Sequence, residues 1–136
     1  AKALTAIHTG GLTNVRLLAS DARPVLKALK PQCLDRLVIL FPDPWHKTRH
    51  NKRRLIQQEF LEDAHAALKT GELRFASDWA DYAAWTLEKM RRHGGFVWTA
   101  ESAKDWRAPP SDHITTRYEV KKLGDCAPIF LVFTAH

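Results

Sequence analysis

Residues 35–54 read DRLVILFPDPWHKTRHNKRR, and the order of residue types in this stretch decides the kind of fold. After its first two residues the segment 35–41 is wholly apolar, which predicts a strand covered on both faces. Pro42 and Pro44 interrupt regular structure just beyond it. With Asn51 as N-cap, Ile56, Phe60, Leu61, Ala64, Ala67 and Leu68 then recur at helical spacing and predict a long helix over about 52–69. Strand, irregular loop, amphipathic helix is the unit of an α/β fold with a largely parallel sheet.

Working outward, residues 1–9 read as a helix closed by Gly10-Gly11, 14–19 (NVRLLA) as a strand and 22–29 as a short helix. Thr70-Gly71 should end the long helix, followed by a strand at 72–77 and a second amphipathic helix at 79–92 stopped by Gly94-Gly95. Further strands are expected at 96–101 and 127–134, with a proline-containing loop at 106–113 leading into 114–122. There is no internal repeat, low-complexity tract or linker, so 1–136 reads as a single domain. Because the chain opens inside what reads as a helix of an α/β repeat, with no initiating Met, that domain is expected to be incomplete at its N-terminal side.

The composition, 45% hydrophobic and 26% charged over 136 residues, is that of a globular chain rather than a disordered one. The longest apolar runs, 37–41 and 129–133, fall well short of the about 20 residues that cross a bilayer, and no charged-then-apolar leader is visible. Cys33 and Cys126 follow no metal or redox spacing, which points to a reducing cytoplasm. Charge is more informative. There are 21 Lys plus Arg against 15 Asp plus Glu, a net +6. Five cations, Lys47, Arg49, Lys52, Arg53 and Arg54, stand within 46–54 with no acid among them, and without them the balance is 16 against 15. The basicity is one patch, as suits a polyanion such as nucleic acid; a solvated helix end is the plainer reading of the charge alone.

Asp43 is the leading candidate for chemistry. It follows a strand directly, where open α/β sheets bind ligands, and the prolines on either side restrict its backbone. Trp45 adds a flat surface on which a base could stack. Lys52, Arg53 and Arg54 in the first turn of the long helix oppose the macrodipole, an arrangement that phosphates would reverse. His46 and His50 stand four apart, but the surrounding cations disfavour a metal, and none is expected. Asp21 and Asp78 repeat the position of Asp43 after expected strands, so three acids would line one sheet edge, although any one could be only a helix N-cap. The six glycines form no nucleotide-binding loop.

FPDPWHKTRHNKRR at 41–54, SDW at 77–79 and TRYE at 116–119 together resemble the bacterial tRNA (guanine-N7)-methyltransferase family over essentially the whole chain. The resemblance implies the C-terminal portion of a Rossmann-like class I methyltransferase sheet with its flanking helices. It implies S-adenosylmethionine as methyl donor and a tRNA variable-loop guanosine as substrate. It implies no membrane, no obligatory protein partner and a monomer or homodimer. Residue by residue, it implies Asp21 at the donor's adenine and Asp43 as the active-site acid, close to the donor as well. Lys47, Asp78, Thr116, Arg117, Tyr118 and Glu119 would meet substrate, and Arg49, His50, Asn51, Lys52, Arg53 and Arg54 would meet RNA. The family's glycine-rich loop and the acid after its second strand have no counterpart in residues 1–136. Two other readings remain open at this point: an RNA-binding module without catalysis, and a methyltransferase acting on an exocyclic amine.

Overall fold

A computed structural model describes residues 1–136, the side chain of Lys69 excepted. Four strands, β1 (Leu34–Leu40), β2 (Leu68–Ser77), β3 (Phe96–Trp98) and β4 (Ile129–Ala135), form one sheet in the order β1-β2-β4-β3. β1 and β2 run parallel, whereas β4 is antiparallel to both β2 and β3. The sheet is therefore mixed, and the expectation of a largely parallel one is corrected. Only the β1–β2 connection is a long helical crossover returning the chain in the same direction.

The helices are α1 (Lys2–Thr9), α2 (Ala22–Lys27), α3 (Gln58–Ala67), α4 (Ala80–His93), α5 (Ala103–Arg107) and α6 (Arg117–Lys121), with a 3₁₀ helix at Thr48–Arg53. α3 and α4 cover one sheet face. Phe60, Leu61 and Ala64 of α3 and Tyr82 and Met90 of α4 meet Leu73, Phe75, Leu131 and Phe133 in the core. Period-2 alternation places Leu37 and Ile39 on that face and Arg36, Val38 and Leu40 on the other. Val38 is 46% and Leu40 41% exposed, so β1 is covered on one face only, contrary to expectation. Along that open face Asp112 bridges Arg36 of β1 and Arg74 of β2.

Two further expectations fail for identifiable reasons. Residues 14–19 read as a strand in sequence but join no sheet among the described residues, and a segment without a ladder is not a strand. The long helix expected over 52–69 is split. The chain makes a 3₁₀ turn to Arg53, runs extended through Gln57 (φ −126°, ψ 165°), and only then enters α3. The backbone groups of Ile56 are taken by α4 side chains: its N–H donates to the Tyr82 hydroxyl at 3.3 Å and its carbonyl accepts from Trp85 Nε1 at 2.8 Å. Gln57 Nε2 donates to the carbonyls of Asn51 and Arg54 and staples the break. Gln57 is the N-cap of α3, and Asn51 lies inside the 3₁₀ turn.

At its other end α3 passes straight into β2, so Thr70-Gly71 is strand and no helix stop. A Cβ at Gly71 would lie 3.0 Å from the Asp35 carbonyl carbon and nearer still to its oxygen. Glycine there lets β2 approach β1 at the register shift between Leu34 and Arg36.

Candidate functional site

The carboxyl ends of β1 and β2 adjoin, with Leu40 opposite Ala76 and the Phe41 N–H donating to the Ala76 carbonyl at 2.8 Å. Both chains leave the sheet here, β1 into 42–47 and β2 through Asp78 into α4. Phe41 (φ 50°) and Trp45 (φ 41°) bracket Pro42-Asp43-Pro44 in the left-handed region, where non-glycine residues are strained. Proline rings on each side and strained residues beyond them give Asp43, which is exposed, a tightly bounded backbone.

Aromatic side chains hold this loop. The His46 imidazole stacks on the Trp79 indole (5.0 Å between centroids, 8° between planes), and Phe41 packs on Tyr118 at 5.3 Å. His50 meets Trp45 edge-on, and the Arg53 guanidinium lies 5.0 Å above the same ring. Burial pushes the Tyr118 hydroxyl up from its ordinary pKa, and the negative charges of Asp78 and Asp43 add to the effect. Asp43, Asp78 and Tyr118 thus share one electrostatic neighbourhood at the sheet edge.

Asp78 itself is only 3% exposed. Its Oδ2 accepts the Gly124 N–H at 3.0 Å and its carbonyl accepts the Cys126 N–H at 3.1 Å, which ties the α6–β4 turn to the end of β2. Thr116 and Glu119 form a capping box on α6, with Thr116 Oγ1 accepting the Glu119 N–H and a Glu119 carboxylate oxygen accepting the Thr116 N–H. Glu119 also pairs with His113 Nε2 at 3.0 Å, both side chains 8% exposed. Within the TRYE segment, then, Tyr118 faces the site, Arg117 is exposed, and Thr116 and Glu119 bond to each other.

Asp21 does not join Asp43 and Asp78 in a row along the edge, because the strand expected before it does not form. It caps α2, accepting the Arg23 N–H, and its carboxylate takes Arg23 Nε and Nη2. The Arg23 guanidinium holds its pKa below the usual carboxylate value.

Lys47, Arg49, Lys52 and Arg53 are exposed on the loop and the 3₁₀ turn, so the basic residues do not lie in the first turn of α3 as expected. Partial burial and the neighbouring cations Arg53 and Lys47 lower the pKa of His50. Asn51 is half-buried, and its Oδ1 is buried without a partner among the described residues. Arg54, expected to meet RNA, is buried instead. It is 1% exposed, its Nε donates to the Pro44 carbonyl at 2.8 Å, and Nη2 pairs with Asp81 at 2.5 Å. Its guanidinium lies over the rings of Tyr82 (4.8 Å) and Trp85 (5.1 Å). In sequence the five cations read as one surface because Asp81, Tyr82 and Trp85 stand 27 and more residues from Arg54; only the odd apolar context, Arg54 before Leu55-Ile56, hints otherwise.

Among the described residues no group of three or more His, Cys, Asp or Glu is arranged to hold a metal ion, and no helix is long and apolar enough to cross a membrane.

A mixed sheet carrying two acids at the ends of adjacent parallel strands, with an aromatic loop beside them, is a Rossmann-like α/β fold shared with SAM-dependent methyltransferases. Solved structures of similar shape include a SAM-dependent O-methyltransferase from Thermotoga maritima, with a TM-score of 0.54 and 16% identity over 98% of this chain and 44% of that one. Residues 1–130 match the family model Methyltransf_4, described as "Putative methyltransferase", and the chain belongs to that family. The tRNA (guanine-N(7)-)-methyltransferase of Caulobacter vibrioides is 55% identical over 98% of this chain and 59% of its own length. The protein of the same name from Hyphomonas neptunium is 51% identical over 98% of this chain and 61% of its own length. The chain thus spans about three-fifths of the length of the curated relatives it matches.

Proposed function

We propose that this chain supplies the substrate-facing part of an enzyme that methylates N7 of a guanosine in the variable loop of tRNA, with S-adenosylmethionine as donor. The observation that carries this reading is the rigid presentation of Asp43 between two prolines and two left-handed residues, directly beside four exposed cations.

The chemistry suits such a site. Guanine N7 bears an exposed lone pair and no proton, so its methylation needs no general base. The product ring is cationic, and a fixed carboxylate stabilises charge as it develops. Asp43 can also accept the N1–H and N2–H of guanine, two parallel donors matching two carboxylate oxygens. Bringing the base to Asp43 requires unstacking it, at a cost of a few kcal/mol, and the Trp79–His46 pair beside the loop offers a surface on which bases can restack.

The donor side is different. The described residues place no glycine-rich turn after a strand, and the Asp21 carboxylate is engaged by Arg23. These residues do not by themselves fit S-adenosylmethionine, and what supports it as the donor is the family and the names of similar proteins. The readings as a non-catalytic RNA-binding module or an exocyclic-amine methyltransferase find no support in those relatives.

The salt dependence of tRNA binding tests the RNA side. Replacing Arg49 and Lys52 with Ala should flatten the slope of log K against log salt by about 0.7–0.9 per residue. An unchanged slope would place RNA on another surface, and digestion of the methylated product to a nucleoside other than 7-methylguanosine would refute the assigned atom.

A further inference from the structure

We infer that Arg54 is a positioning residue, which sets the Asp43 loop through the Pro44 carbonyl while meeting neither RNA nor substrate. This role rests on the reading of 42–47 as the active-site loop. Arg54 ties its own segment both to the loop and to α4. Nε donates to Pro44 in the loop, Nη2 pairs with Asp81 at the start of α4, and the guanidinium lies over the rings of Tyr82 and Trp85 of the same helix. Because φ of Pro44 is set by its ring, the bond to its carbonyl fixes the remaining freedom of that residue. The same peptide plane leads into Trp45, whose left-handed φ of 41° needs its surroundings to hold it. With Pro44 fixed on one side and the Phe41 N–H bonded to Ala76 on the other, Asp43 has little backbone freedom left.

Stability alone does not account for an arginine here. Nη1 is buried and has no partner among the described residues, and an apolar side chain of similar length would pack against the rings without that penalty. What the apolar side chain could not do is bond the Pro44 carbonyl. The guanidinium is almost wholly inside the protein, so a phosphate cannot reach it.

The test compares Arg54→Met with Lys52→Met in this chain. Backbone amide order parameters of Asp43, Trp45 and His46 should fall in Arg54→Met from rigid values near 0.85 to below about 0.6, while those of Leu73 and Phe75 in β2 stay unchanged. The salt slope of tRNA binding should match that of the unsubstituted chain, whereas Lys52→Met should lower it by about 0.7–0.9. Unchanged order at 43–46 would overturn the proposal. So would a slope that drops in Arg54→Met as it does in Lys52→Met, because that result makes Arg54 an RNA contact. If Arg54→Met does not fold, Arg54→Lys, which keeps stem and charge but loses the fork, is judged on the same two readouts. Absence of tRNA binding by the unsubstituted chain would count against the proposed function and leave the order-parameter comparison to decide the role of Arg54.

Discussion

Gly124→Ala is a severe substitution at a position that belongs to no motif. Gly124 lies in the turn between α6 and β4, and an added Cβ would sit 2.5 Å from the Asp78 carbonyl carbon and nearer still to its oxygen. Ordinary carbon contacts fall at about 3.5–4.0 Å, so the overlap is about 1 Å or more, against backbone that cannot rotate aside. The turn must then either keep the overlap as strain or move away. Moving breaks the Gly124 N–H bond to Asp78 Oδ2 and the Cys126 N–H bond to the Asp78 carbonyl. Overpacking costs about 1–3 kcal/mol, and a lost hydrogen bond to a charged group about 1.5–3. The cheaper route sets the cost, about 1–3 kcal/mol. At about 3–4 °C per kcal/mol for a chain of this size, the melting temperature should fall by roughly 3–12 °C. Circular dichroism at pH 7 measures it, with Val120→Ala, 70% exposed on α6, as a control expected within about 2 °C. If Gly124→Ala melts together with that control, the turn yields freely and the clamp on Asp78 does not exist.

Two further outcomes follow from the charges at the site. In the full-length enzyme proposed above, Asp43→Asn keeps the shape of the side chain and removes its charge, so turnover under saturating S-adenosylmethionine and tRNA should drop about 10²- to 10³-fold with tRNA affinity nearly unchanged; near-normal turnover would make Asp43 a turn residue only. His50 has its pKa lowered by partial burial and then by Arg53 and Lys47, and bound phosphates would offset those cations and raise it again. Binding then takes up a proton, and affinity should rise as pH falls below about 6.5, more in the unsubstituted chain than in His50→Gln; equal pH profiles would remove the linkage.

What was legible in the sequence is what local chemistry decides. The apolar run of β1, the periodicity of α4 with Gly94 at φ 76°, and the proline-bounded Asp43 all carry their cause within a few residues. What was not legible depends on partners far along the chain. The inward turn of Arg54 needs Asp81, Tyr82 and Trp85; the break before α3 needs the Tyr82 hydroxyl and the Trp85 indole; the role of Asp78 needs Gly124. Residues 14–19 show the converse, a strand-like pattern without a neighbour to pair with among the described residues.

The 3₁₀ form of residues 48–53 divides the basic patch by geometry. In a 3₁₀ helix the side chains at i and i+3 eclipse, so Arg49 and Lys52 form one ridge and His50 and Arg53 another. The second ridge is the one that meets Trp45, with His50 against the ring edge and Arg53 over the ring face. That cation–π contact orders Arg53 without neutralising its charge, so it can still face a phosphate, but from a fixed position next to the Asp43 loop. Arg49 and Lys52 are exposed on the other ridge. An α-helix at the same residues would offset each pair by about 60° rather than eclipse it. On the proposed reading, the 3₁₀ form sets one pair of residues against Trp45 beside the Asp43 loop and leaves the other pair exposed for phosphates.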